Sequence, residues 1–329
     1  MYAHMFNSNL DVLIDVARSY HELGLTQQEI AEGLNISRSQ VSRYLTEAKD
    51  LGIIQTRIID PRGQANNIED ALKNHFPNLI EAVVIPWLGS TAETLRMSLG
   101  RACAQFLSGK ITAGQKLCIG SGSTLLQVVR SLRSCGEENI NVIQATGSIG
   151  HEALNIDFNE MTRTAATALG ARAFYINAPA ILGSGTSKEL IAANQTIRES
   201  LEMARSANIY LVGVGSFRND QVHVLAGLIP QPEMKILKAG PAVGDICGRF
   251  FSIDGQECKT TFDERVVGIE LMDMRNAPLS IGVAGGKEKI TALLGALRNK
   301  CLNVLVTDEQ TAKAIIDLDH NTRKKGVIR

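Results

Sequence analysis

The sequence predicts an α/β chain in two parts: an N-terminal winged helix-turn-helix, then a doubly wound, mostly parallel α/β domain. Three observations predict this. Two capping-box signatures open consecutive short helices near the N-terminus. A Pro/Gly break follows at Asp60-Pro61-Arg62-Gly63. Beyond the break, short β-type runs alternate with helical patterns, the signature of a parallel sheet covered on both faces.

The elements follow in order. Leu10, Leu13, Ile14, Ala17 and Tyr20 recur at helical spacing over about Ser8–Leu23, and Gly24 supplies the stop. Thr26-Gln27-Gln28-Glu29 caps a second helix running to Leu34, with Ile30, Ala31 and Leu34 facing inward. Asn35 tolerates a left-handed turn. Ser37-Arg38-Ser39-Gln40 caps a third helix to about Asp50, anchored by Val41 and Leu45 and ended by Gly52. Ile53–Ile59 alternates as a short strand or wing. These give a DNA-binding domain over 1–60, a linker over 61–67 and a second domain over 68–329. Its expected strands are Ala82–Ile85, Lys116–Ile119, Asn141–Ala145, Ala171–Tyr175, Ile209–Val212, Leu279–Val283 and Asn303–Val306.

Composition excludes several classes. The 329 residues are 44% apolar and 21% charged with no net charge, an ordinary globular balance lacking a global basic signature for nucleic acid. The six cysteines form no C-x-x-C pair and the six histidines are scattered, so reduced thiols, no metal and no cofactor are expected. The N-terminus resembles no signal peptide and no apolar run reaches membrane-spanning length. The expected location is the cytoplasm, with no membrane partner.

In a helix-turn-helix, residues at the start of the second helix of the pair meet base edges in the major groove. Here those are Ser37, Arg38, Ser39, Gln40, Ser42 and Arg43. Arginine reads guanine, glutamine reads adenine, and serines hold phosphates. A plain helical hairpin is the competing reading. Residues 1–60 carry five Lys/Arg against eight Asp/Glu, so non-specific DNA affinity is expected to be weak and tight binding to need several copies.

Several expected strands run into small, glycine-rich segments: Gly120-Ser121-Gly122-Ser123-Thr124, Thr146-Gly147-Ser148, Gly213-Val214-Gly215-Ser216 and Ala284-Gly285-Gly286-Lys287. Ligands of open α/β sheets collect beyond the carboxyl ends of strands, and amides at helix starts favour anions. One such loop can serve turn geometry alone. Neither a dinucleotide fingerprint nor a Walker loop is present: Leu125 and Glu288 stand where glycine and Ser/Thr are required. Asp245 can accept bonds from sugar hydroxyls or serve as a turn aspartate. Glu270, Asp273, Arg163 and Arg172 are vaguer candidates.

LTQQEIAEGLNISRSQVSRYL (25–45), the loop at 120–124, LVGVGS (211–216), AVGDICGRFF (242–251), IGVAGGKEK (281–289) and VLVTDEQTAKAI (304–315) together resemble the SorC-type sugar-binding transcriptional regulators. The resemblance implies an effector domain akin to sugar-phosphate isomerases and a phosphorylated sugar effector. It also implies a homotetramer on palindromic operator DNA, and we expect a repressor. Carried over by position, the effector residues are Gly120, Gly122, Ser123, Thr124, Gly147, Asp245, Gly286 and Lys287. The alternatives are a sugar-phosphate isomerase fused to a DNA-binding segment, with Asp245 and Lys287 as acid–base groups, and a second domain that only oligomerises.

Overall fold

The computed structural model describes residues 3–51, 53–54, 64–87, 91–148, 157–183, 193–216, 229 and 231–326. They divide into two compact units, Met1–Pro61 and Arg62–Arg329.

The first unit holds helices α1 (Ala3–His21), α2 (Gln27–Leu34) and α3 (Arg38–Asp50). Val16 of α1 packs with Ile30 and Ala31 of α2 and Val41 and Leu45 of α3, while Leu13 and Ala17 of α1 pack with Ala48 of α3. Both capping boxes form, and Asn35 ends α2 at φ +53°. Leu34 departs from the inward face read for it: it is 43% exposed, because α2 ends there and Ile36 takes over the packing. Gly52 and residues 55–59 of the expected wing lie outside the described residues.

The second unit begins with α4 (Gln64–His75), inside the stretch read as linker. Ile68 and Leu72 are already buried there, one turn apart, where α4 packs on the first strand. There follow β1 (Glu81–Ile85), α5 (Ala92–Ser108), β2 (Lys116–Ile119), α6 (Ser123–Ser131), β3 (Asn141–Gln144), α7 (Phe158–Leu169) and β4 (Arg172–Phe174). Then come α8 (Gln195–Arg205), β5 (Ile209–Gly213), β6 (Gly215–Ser216), α9 (Gln231–Ala239), β7 (Ala242–Ile246) and β8 (Arg249–Ser252). The unit closes with α10 (Leu271–Arg275), β9 (Leu279–Val283), α11 (Ile290–Asn299), β10 (Val304–Asp308) and α12 (Glu309–Gly326).

Seven strands form one sheet in the order β1-β10-β9-β5-β2-β3-β4, and every pair is parallel. These are the seven strands expected from the sequence. Alternate residues feed opposite cores, as a pleated strand requires. Ile209 and Leu211 face the core of α5, α6 and α7, while Tyr210 and Val212 face that of α4, α8, α11 and α12. β6, β7 and β8 form a separate antiparallel sheet that the sequence reading missed. The sequence reading assigned no strand to 242–251 and weighed Asp245 there as a sugar acceptor or a turn aspartate. Gly244 is a packing residue inside a strand: a Cβ on it would lie 2.6 Å from the Cβ of Ala292.

Candidate functional site

The first candidate surface is the start of α3. Ser37, Arg38, Ser39, Ser42 and Arg43 are exposed and Gln40 is half-buried. The Ser37 side chain accepts from the Gln40 backbone N–H at 3.2 Å, and Gln40 Oε1 accepts from the Ser37 backbone N–H at 3.1 Å. Gln40 therefore caps its own helix. Reading adenine with both amide atoms requires it to release that bond. Arg43 lies over the Tyr44 ring at 5.8 Å, and Arg38 shares a surface groove with Gln27 and Gln28 at the start of α2.

The second is a cavity of about 310 Å³ in the larger unit. It opens at the carboxyl ends of β2, β5 and β9. Ser121, Gly122, Ser123 and Thr124 follow β2, Gly213 to Ser216 end and follow β5, and Ala284, Gly285, Glu288 and Lys289 follow β9. β2 and β5 are neighbours from which the chain winds outward in opposite directions, the switch point where open α/β sheets bind ligands. Gly122 has φ +139° and ψ 163°, a backbone region reserved for glycine, and no side chain caps the helix it precedes. The first amides of α6 are thus left to face solvent or a ligand.

Among the described residues, two cations line this cavity, Arg96 of α5 and Lys289, with two carboxylates, Asp245 and Glu288. Asp245 is 5% exposed on β7, opposite Gly215, and accepts from the Gly248 N–H at 3.1 Å. A Cβ on Gly215 would collide with its carboxylate. The Cys247 thiol also lines the cavity. Burial first, and Asp245 second, push it up to about 12, so it stays neutral at ordinary pH and is a poor nucleophile. Among the described residues no cluster of His, Cys, Asp or Glu can hold a metal, and no helix is long and apolar enough to cross a membrane.

The carried-over residues divide. Gly122, Ser123, Thr124 and Asp245 line the cavity; Gly120, Gly147, Gly286 and Lys287 do not. The Gly120 N–H donates to Leu211 O at 2.9 Å within the sheet. Gly147 is jammed against the Ala178–Pro179 backbone, where a Cβ would lie 2.7 Å from Pro179 carbonyl atoms. The Gly286 N–H is taken by Asp308 Oδ2 at 2.9 Å and Thr311 Oγ1 at 2.8 Å. Lys287 is exposed, whereas Lys289 lines the cavity. Residues 287–289 form one 3-10 turn, so side chains two positions apart project on different sides. The vaguer candidates are engaged elsewhere. Arg163 pairs with exposed Glu160 at 2.6 Å, and Arg172 is exposed at the amino end of β4. Arg249 donates to Glu270 at 2.7 Å, and Asp273 accepts from the Glu270 N–H. Arg96 had no signal in the sequence: it is one basic residue on an amphipathic helix.

Comparison with known proteins agrees with this architecture. Residues 60–317 match the family described as "Putative sugar-binding domain", and residues 10–63 match a Crp-like helix-turn-helix domain. The deoxyribonucleoside regulator of Bacillus subtilis (strain 168) is 32% identical over 304 residues, covering 92% of this chain and 96% of that protein. The sorbitol operon regulator of Klebsiella pneumoniae is 30% identical over 315 residues, covering 94% and 99%. The crystal structure of the full-length sorbitol operon regulator SorC from Klebsiella pneumoniae superposes with a TM-score of 0.76 at 28% identity, covering 93% of this chain and 98% of that one. These relatives are transcriptional regulators, and the isomerase alternative is not favoured. With a helix-turn-helix at one end and a sugar-binding domain over most of its length, the chain belongs to the SorC-type family of sugar-binding transcriptional regulators.

Proposed function

We propose that this regulator is a cytoplasmic repressor. In this reading residues 1–60 bind palindromic operator DNA as part of a homotetramer, and a phosphorylated sugar in the cavity of the domain spanning 68–329 changes that affinity. The cavity carries the proposal: uncapped α6 amides, the Ser123 and Thr124 hydroxyls, Arg96 and Lys289 all border one space. A phosphate dianion gains charge-assisted bonds from such a set that a neutral sugar cannot. Asp245 then takes sugar hydroxyls, a reading in keeping with relatives named for sorbitol and deoxyribonucleosides. The acidic balance of residues 1–60 makes one copy a weak DNA ligand and supports several copies acting together; four is the number that the family resemblance implies.

Titration calorimetry with pentoses, hexitols and their phosphate esters tests the effector. An ester is expected to bind at least about tenfold more tightly than its parent. Equal affinity for parent and ester means that the effector is neutral. For DNA, Arg38→Ala and Arg43→Ala are each expected to weaken the cognate site by about 1–3 kcal/mol. Gln40→Ala is expected to do the same with an added loss of about 1 kcal/mol of helix stability from the cap. Footprints unchanged in all three variants would remove α3 from the interface.

A further inference from the structure

Two helices start beside the cavity, their starts joined by the Gly286–Asp308 hydrogen bond, and both contribute to one buried ion cluster farther along. α11 starts at Ile290, directly after the cavity residue Lys289, and reaches Arg298 in its last turn. α12 starts at Glu309, beside Asp308, which is fully buried. Asp308 Oδ2 accepts from the Gly286 N–H at 2.9 Å and from the Thr311 hydroxyl at 2.6 Å. Gly285, on the cavity wall, is so close that a Cβ there would meet the same carboxylate. Eight residues after Thr311, about 12 Å along the helix, comes Asp319, also fully buried. It accepts from Arg298 Nε at 2.7 Å and contacts His75 Nε2 at 2.6 Å. His75 is the last residue of α4, the first helix after the N-terminal unit.

We propose that α11 and α12 form a relay that carries occupancy of the cavity to α4. The two ends of the relay are gripped differently from ordinary helix packing. Apolar faces slide past one another at small cost, but a buried carboxylate with charged partners holds one geometry. A displacement of residues 285–289 around a bound anion therefore moves the starts of both helices together. Arg298 and Asp319 pass that movement on as one body, and His75 makes α4 follow. α4 in turn is joined by the chain to the DNA-binding unit. The device thus links the two activities through His75, which meets α12 at Asp319 and, ring against ring at 4.6 Å, at His320. It rests on the anion-binding reading of the cavity and adds the route by which binding is felt elsewhere.

Hydrogen–deuterium exchange of the full chain, with and without saturating inorganic phosphate, tests it. In the wild type, phosphate is expected to change exchange both at Gly286 and across residues 67–75, by about fivefold or more. His75→Ala leaves the Asp319–Arg298 pair in place. It is expected to keep the response at Gly286 and lose most of that in α4. Asp319→Asn, if folded, should do the same. A response at Gly286 that never reaches α4 in the wild type overturns the relay and leaves the anion pocket standing. So does an α4 response that survives intact in His75→Ala. No response at either place overturns the pocket, and the relay with it.

Discussion

Replacing Asp319 with alanine is expected to destabilise the larger unit by about 3–5 kcal/mol, the scale for leaving a buried charge without its partner. The side chain has no exposed surface and meets three basic groups: His75 at 2.6 Å, Arg298 at 2.6 Å and Arg323 at 2.7 Å. Arg298 suffers most, since it carries a permanent charge and its side chain is only 14% exposed. Asp254 remains its other anionic partner, at 3.3 Å and largely in solvent. The cluster also has a pH signature. Burial raises the Asp319 carboxyl, but hydrogen bonds from Arg298 and His75 and the charges of Arg298 and Arg323 outweigh it, so the group sits below its usual value. A depressed carboxyl contributes stability that is present above its unfolded value of about 3.9 and is lost as the pH falls through the folded value. Urea unfolding should show the full gap between wild type and Asp319→Asn at pH 7, and a gap that narrows below about pH 4. A pH-independent gap, or an alanine variant within about 1 kcal/mol of wild type, contradicts this account of the cluster.

Lys289→Ala is expected to weaken a phosphorylated effector by about 1.5–3 kcal/mol, roughly ten- to a hundredfold, while Lys287→Ala leaves affinity nearly unchanged. The two lysines flank Glu288 in one 3-10 turn, yet only Lys289 lines the cavity. Truncating Lys289 removes a cation from a space whose described side chains carry two positive and two negative charges. A dianion is then left with Arg96 and the helix amides against Asp245 and Glu288. Lys287 is exposed, so its charge acts on the site only through screened solvent. Calorimetry on the two single variants with one phosphate ester decides between them. Equal losses in both, or a loss in Lys287→Ala alone, would return the role to the residue first read from the sequence. Thermal unfolding should be similar in both variants, because neither side chain is part of a buried core.

The sequence by itself determined the order and kind of the main elements. The two capping boxes, Asn35 at the turn and the seven parallel strands were all legible, because capping, left-handed turns and pleat alternation are set by neighbours in the chain. The four strand-end loops were legible for the same reason. What the sequence could not decide is which residue of each loop faces the ligand. Gly120 and Gly147 look like binding glycines, but Gly120 spends its N–H on Leu211 of β5 and Gly147 is a packing glycine against the Ala178–Pro179 backbone, both far along the chain. Gly286 spends its N–H on Asp308, 22 residues away, and Arg96 reaches the cavity from a helix that precedes every one of these loops. The β6–β8 sheet stayed hidden because Gly244 is required by Ala292 rather than by a turn. Each of these outcomes depends on contacts between residues distant in sequence. Local propensity carries no information about such contacts, and only the packing of the tertiary structure decides them.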